Sequence, residues 1–487
     1  MNRREFVERC AMAGVGMQLI PALDAQNAAR QNHTQDHAAE PKRAGLNRPP
    51  IEKRTFVSPA VEALIEQIAP RMKDGKLARQ FANCFPNTLD TCVVFDHKGT
   101  KPDTYIITGD IDAMWLRDSC CQVQPYLPLC AQDAKLAEMI EGLIHRMAGF
   151  ILIDPYANAF QRNDARPSPH RTDKTEMRRG VFERKWELNS LVFPMRLAVQ
   201  YWKLTHRSEV FDEQWLRSMQ VAVHTMRRQQ SADYRKDYSF DRPTSSDAIA
   251  ERAYDNKGRA NGMIAAAFGT DDLTIFPYSI PENLFAVGTL PHLAEMLDGL
   301  HDTSDLAAEA RSLANEVRDA VRQFGVVEHR HYGKMYAYEV DGFGGRFLAD
   351  DANLPSLMGV AYLAAEAMDK DVYRNTRAFA LSADNQFFFA SDRIEGLSGI
   401  GSPHNWGREM IWPLGLTTEG ITAQDDAGVE RCLRLLRDTD AGTGFMHEAF
   451  DKNNPKDYTR PWFAWANSFF GEFIWKVAKE RPHLLFS

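Results

Sequence analysis

Beyond residue 55, apolar residues recur at helical spacing along most of the chain. Ser58-Pro59-Ala60-Val61-Glu62-Ala63-Leu64-Ile65-Glu66-Gln67-Ile68-Ala69 carries the punctuation as well: a serine to cap, a proline in the first turn, then a periodic apolar face. Similar patterns predict helices near 132–152, 185–206, 209–229, 281–300, 304–323, 354–369, 372–381, 425–438 and 465–480. Period-two signals are scarcer. Thr91–Phe95 and Tyr105–Thr108 fit a hairpin around Asp96-His97-Lys98-Gly99, and a second short pair fits near 332–340. No β-α-β alternation, Gly-rich phosphate loop or plain repeat is present. Helices of this number, joined by long loops rich in Gly, Pro, Asp and aromatic residues, predict paired helices in a ring or bundle. The long loops predict function. No linker divides the chain beyond residue 55, so residues 51–487 are read as one domain.

The N-terminus departs from this pattern. Arg3-Arg4 precede a short, weakly apolar run, Cys10 to Ala25, which resembles a twin-arginine export signal and is too short to span a membrane. Gln26 to Pro50 reads as a disordered linker. Residues 1–50 are therefore expected to be signal and linker, and the protein to be periplasmic or secreted. Composition excludes more than it selects. Net charge is −8 with 44% hydrophobic residues, and no basic tract points to nucleic acid. The seven cysteines form no C-x-x-C pair, which argues against zinc or dithiol chemistry, and most are expected to be buried hydrophobes. No EF-hand loop and no G-x-S-x-G elbow occurs, so neither a metal, a cofactor nor a serine nucleophile is expected.

The chemistry concentrates in acid-rich loops. Gly442 to Asp451 sets Glu448 between a glycine turn and the aromatic segment Tyr458–Phe470, where Trp462, Phe463 and Trp465 offer platforms for a ring-shaped ligand. Glycosidic hydrolysis needs a second carboxyl group across the bond, and several upstream segments offer one. Asp110, Asp112, Trp115, Arg117 and Asp118 fall together; they suit sugar hydroxyls, or an ion-paired helix start with Asp110 or Asp112 as cap. Glu187 and Asn189 precede an apolar run and suit a pocket or, more commonly, a helix cap. Asp271-Asp272 follow a glycine turn: neighbouring carboxylates raise one another's proton affinity, which suits a general acid, although such pairs more often make caps or Asx-turns. Asp350-Asp351 with Asn353 are again paired acids at an expected helix start. His404 and Arg408 can bind hydroxyls, and Trp412 suits core or pocket wall.

Together, DIDAMWLRDS (110–119), KWELNS (185–190), TDDLTIFPYSIPENLFAV (270–287), ADDANLPSL (349–357), GIGSPH (399–404) with IWPLGL (411–416), GFMHEAFDKNNP (444–455) and TRPWFAWANSFFGE (459–472) resemble glycoside hydrolase family 125, the exo-acting α-1,6-mannosidases. The resemblance implies an all-α (α/α)6 barrel with long functional loops and a few short β-hairpins. It also implies metal-independent hydrolysis of a mannose-containing oligosaccharide with inversion. Glu448 would then be the general base and Asp271-Asp272 the region of the general acid, with Asp272 preferred. Asp110, Asp112, Trp115, Arg117 and Asp118 would line the terminal sugar site, joined by Glu187, Asn189, Asp351, Asn353, His404 and Trp462. Phe268-Gly269-Thr270 stands where the family pattern has an Arg-Pro-Ser-like stretch. Inversion would place the carboxyls about 6.5–9.5 Å apart, with room for water. The competing readings are a glucosidase or trehalase-like barrel, a non-catalytic glycan-binding barrel and a purely structural helical ring.

Overall fold

The computed structural model describes residues 47–242, 251–253, 258–300, 303–405 and 407–487; the twin-arginine pattern and residues up to 46 lie outside the described residues. Helices follow one another in six pairs: α1 (Gly75–Cys84) and α2 (Leu116–Val123), α3 (Ala134–Ile153) and α4 (Asn189–Thr205), α5 (Glu213–Gln230) and α6 (Ile280–Asp298), α7 (Ser304–Ala320) and α8 (Val360–Leu363), α9 (Lys370–Ala380) and α10 (Pro413–Ile421), α11 (Asp426–Asp438) and α12 (Ala464–Glu480). Odd-numbered helices lie outside and even-numbered ones inside. The difference is written in their burial. α11 hides one stripe, Val429, Cys432, Leu433, Leu435 and Leu436, whereas every residue of α10 is buried. Inside, α2 packs on α4, α4 on α6, α6 on α8, α10 on α12, and α12 returns to α2. Between α8 and α10 the ring is filled by the 350–358 segment, where Gly415 approaches so closely that a Cβ would lie 3.0 Å from that of Ala352. The fold is an (α/α)6 barrel.

Helix ends divide the barrel chemically. Five outer helices begin on aspartates whose side chains accept first-turn N–H groups: Asp74, Asp133, Asp212, Asp369 and Asp425. The inner helices begin after Trp115, Leu188, Ser279, Gly359, Trp412 and Phe463, and none of these caps its helix through a side chain. The N-terminal ends of the inner ring are thus left for other partners, and every candidate segment lies next to one of them. The expected caps at Asp110, Asp112, Glu187 and Asn189 are not formed.

Two other expectations are corrected. A helix over 354–369 shrinks to α8, because acidic side chains take the backbone donors instead: Asp350 accepts from Leu357 and Met358 N–H at 2.7 and 2.9 Å, and Asp351 from Asn353 N–H at 3.0 Å. The pair expected near 332–340 is a hairpin of Val326–His329 with Gly333–Tyr336. The first hairpin is present as β1 (Val93–Lys98) and β2 (Lys101–Ile106), turning at Gly99, φ +67°. Asn47 and Arg48, at the end of the expected linker, are tied down: Asn47 N–H donates to Asn83 at 3.0 Å, and Arg48 bridges Glu62 and Asp90. Among the described residues six cysteines are free, five of them buried, and no helix is long and apolar enough to cross a membrane.

Candidate active site

The Asp271-Asp272 pair is delivered by a hairpin of β3 (Phe268–Gly269) and β4 (Asp272–Leu273), whose two turn residues are Thr270 and Asp271. Both have positive φ, 52° and 78°. That turn geometry favours Asn-Gly and is strained for a β-branched threonine. Side chains from the rest of the ring hold it there. Thr270 Oγ1 donates to Asp351 at 2.8 Å, and Asn353 donates to the Thr270 carbonyl at 3.3 Å. Asp271 N–H donates to Glu187 at 2.6 Å, and Lys185 Nζ donates to the Asp271 carbonyl at 2.7 Å. Asp351 and Asn353, expected as pocket walls, act as braces for this turn. So does Glu187.

Arg117 lies at the centre and is wholly buried. Its guanidinium donates to Glu187 at 2.7 Å, Asn189 at 3.3 Å and the Asp271 carboxylate at 2.5 Å, and Asp118 lies 3.4 Å from its Nε. Asn189 passes the chain on to Glu282 at 2.6 Å. Burial, with Asp271 and Glu282 nearby, outweighs Arg117 and pushes the Glu187 carboxyl up to about 8. Burial also pushes Asp118 up to about 6, with Asp271 and Glu448 adding to the rise against Arg117 and Arg460. Asp272 stands apart from this group and faces His404, Nδ1 to Oδ1 3.4 Å. Burial alone would lower the His404 imidazole; Asp272, aided by Glu448 and Asp271, raises it to about 10 instead. Its ring is nevertheless 41% exposed, at the open side of the site.

Glu448 enters from the far end of the chain. Its Oε1 accepts from Arg460 at 3.2 Å and its Oε2 from Thr459 at 3.1 Å. Contacts lead from the base candidate to the acid pair: Arg460, bound to Glu448, lies on the Phe463 ring, Phe463 meets Trp412 edge-on, Trp412 meets His404, and His404 faces Asp272. The acids here have buried oxygens without a hydrogen-bond partner within the protein, Asp118 Oδ1, Asp271 Oδ1 and Asp272 Oδ2, and the indole N–H groups of Trp115 and Trp462 are unpartnered as well. Buried polar groups are ordinarily satisfied, and sugar hydroxyls supply both donors and acceptors for such a set. Gly109, φ +62°, lets the 108–110 loop meet this wall; a Cβ there would lie 2.7 Å from the Trp462 carbonyl.

Asp110 reaches the site through Arg460, which binds both it and Glu448, and Asp112 is exposed, its charge acting on Tyr105. Trp412 is wall, its indole donating to Asn405 at 2.6 Å and its ring edge-on to His404. Sequence reading missed Arg460, Thr459, Lys185 and Thr270. Nothing in the spacing separates Arg460 from Lys452 and Lys456.

The family model described as metal-independent alpha-mannosidase, GH125, matches residues 74–475. The chain belongs to that family. It is a glycoside hydrolase of the alpha-mannosidase class. The meiotically up-regulated gene 157 protein of Schizosaccharomyces pombe is 38% identical over 469 residues, covering 92% of this chain and 91% of that protein. A metal-independent alpha mannosidase of Streptococcus pneumoniae, solved as a non-productive complex with alpha-1,6-mannobiose, superposes with a TM-score of 0.81 at 34% identity, over 88% of this chain and all of that one. A bacterial glucoamylase complexed with acarbose shares the fold at a TM-score of 0.53 and 11% identity, over 83% of this chain and 56% of that one. In this family-125 barrel, the buried acids predict a pH response. Glu187 and Glu339 are pushed up to about 8, and Glu282, Asp350 and Asp351 to about 7, all chiefly by burial. The unfolded chain releases these protons near pH 4, so between about 4 and 8 the native state binds more protons and stability falls as pH rises, by ~1.4 kcal/mol per unit for each proton difference. The raised His404 acts in the same direction above its ordinary value. Glu183, pulled down by Lys185 and Arg242 despite burial, has finished titrating below this window. Thermal unfolding is expected to give the highest Tm near pH 5 and a steady fall to pH 8, flattened in E339Q; a Tm rising over that range contradicts the assignment.

Proposed function

We propose that the protein is an exo-acting, inverting α-1,6-mannosidase that removes terminal mannose from mannosides and N-glycan-type oligosaccharides. What supports this reading is the chain of contacts that joins Glu448 to Asp272 through Arg460, Phe463, Trp412 and His404, together with the unsatisfied oxygens of Asp271 and Asp272. The buried Arg117, Glu187, Asn189 and Glu282 beneath it support a blind pocket, which accepts a chain end rather than a chain interior. The pneumococcal relative's disaccharide supports the linkage.

Asp272 is the stronger acid candidate. Asp271 is bound to Arg117, whose charge is permanent, whereas Asp272 stands clear of Arg117 and keeps one carboxyl oxygen, Oδ2, without a protein partner. In the proposed step Asp272 gives its proton to the glycosidic oxygen as the bond to the anomeric carbon breaks. Glu448 takes a proton from the water that attacks the opposite face through an oxocarbenium-like state. The chain's own carboxyl groups supply both proton transfers.

Purified protein with chelator present, given α-1,6-, α-1,3- and α-1,2-mannobiose, is expected to release β-mannose first and mainly from the 1,6-linked sugar. Proton NMR reads both linkage and anomer. First release of α-mannose would overturn inversion; preferential cleavage of another linkage would overturn the substrate.

A further inference from the structure

Arg460 and Asp110 stand 350 positions apart in sequence and meet at the mouth of the barrel. Arg460 Nε and Nη2 both donate to Asp110 Oδ1, at 2.8 and 2.5 Å, and Nη2 also donates to the Thr108 carbonyl at 2.8 Å. Its remaining arm, Nη1, reaches Glu448. The guanidinium carbon sits 4.6 Å from the centroid of the Phe463 ring, and Phe463 is in turn packed edge-on against Trp412 and Trp465. The residue's own backbone lies in the left-handed region, φ +49°. A side chain anchored by a carboxylate, a carbonyl and an aromatic face has little freedom left. Its contact with Glu448 therefore fixes that carboxylate instead of following it. Thr459 Oγ1 grips the other oxygen of Glu448 from the adjacent residue.

We propose that Arg460 is the positioning residue of the base: clamped by Asp110, it holds Glu448 in the orientation that faces the attacking water. The inference rests on reading Glu448 as the base. It reassigns Asp110 from sugar ligand to clamp. A lysine cannot take the role, because the three contacts use the planar, five-donor fork of a guanidinium.

General base catalysis depends on alignment, and displacement of a reacting group by about 1 Å costs on the order of 10²-fold. R460A is expected to lose about 10²-fold in kcat on α-1,6-mannobiose with KM within about threefold of wild type. Added guanidinium at about 50 mM, below unfolding concentrations, is expected to restore at least about tenfold, since it can occupy the fork's position. D110N keeps the arginine and loosens its anchor, so it is expected to lower kcat by about tenfold, again without a change in KM. Each variant is checked for native circular dichroism and Tm; if R460A does not fold, D110N decides. A folded R460A that guanidinium does not rescue overturns the proposal, as does a rise in KM at unchanged kcat in D110N. E448Q is assayed alongside. An active E448Q overturns the base reading itself, whereas an inactive E448Q with wild-type kcat in both R460A and D110N overturns only this inference.

Discussion

E448Q is expected to lower kcat on α-1,6-mannobiose by about 10²–10⁴-fold, the range general base catalysis contributes, while KM stays near the wild-type value. Glutamine is close to isosteric, and its amide oxygen can still accept from Arg460 or Thr459, so the surrounding hydrogen bonds change little. What disappears is the ability to take a proton from water. The unpartnered polar atoms of Asp118, Trp115 and Trp462, proposed to bind the sugar, are left in place by the substitution. Isothermal titration with mannobiose should therefore report an affinity close to wild type in a protein that hardly turns over. Activity near the wild-type level would remove Glu448 from the base role.

The second large effect separates the two aspartates. D272N is expected to lose about 10²–10⁴-fold on mannobiose, whose sugar leaving group needs a proton, and to lose far less on an activated aryl α-mannoside, whose phenolate leaves unaided. D271N is expected to be slow on both substrates to a similar degree, because Asp271 braces the Arg117 network and its loss leaves a buried cation short of a partner. If D271N, and not D272N, regains rate with the activated leaving group, the acid is Asp271. The ratio of kcat/KM on the two substrates decides, independent of how stable either variant is.

How far this site could be read in advance depended on which physical signal each residue carried. Outer helices such as α11 bury one stripe, so their periodicity stands out and their bounds were predicted closely: 425–438 against Asp426–Asp438. α2 and α10 are short and buried nearly all round, which erases the stripe, and neither was predicted. The 354–369 segment reads as helical because its apolar spacing is helical; backbone donors at its start are taken by Asp350 instead. The acids themselves were legible, since carboxylates beside aromatic residues are unusual in long loops. Their roles were less so. Asp351, Asn353 and Glu187 carry the same chemistry as sugar ligands, yet brace a turn. That turn was hidden as well, because Thr270-Asp271 lacks the Asn-Gly signature of its geometry and is imposed by contacts with residues tens of positions away.

The ring's closure has a consequence for how the enzyme comes into being. Thr88 bonds to Ser468, Arg460 to Asp110, and α12 lies against both α1 and α2, so the first and last parts of the barrel complete each other. Contacts this remote form late and slowly, because loop closure must come before any of them contributes. Arg460 follows Asp110 by 350 positions, so it gains its anchor only once this late segment packs on the early loop at Thr108–Asp110. The proposed base is therefore clamped only when the two ends of the barrel meet.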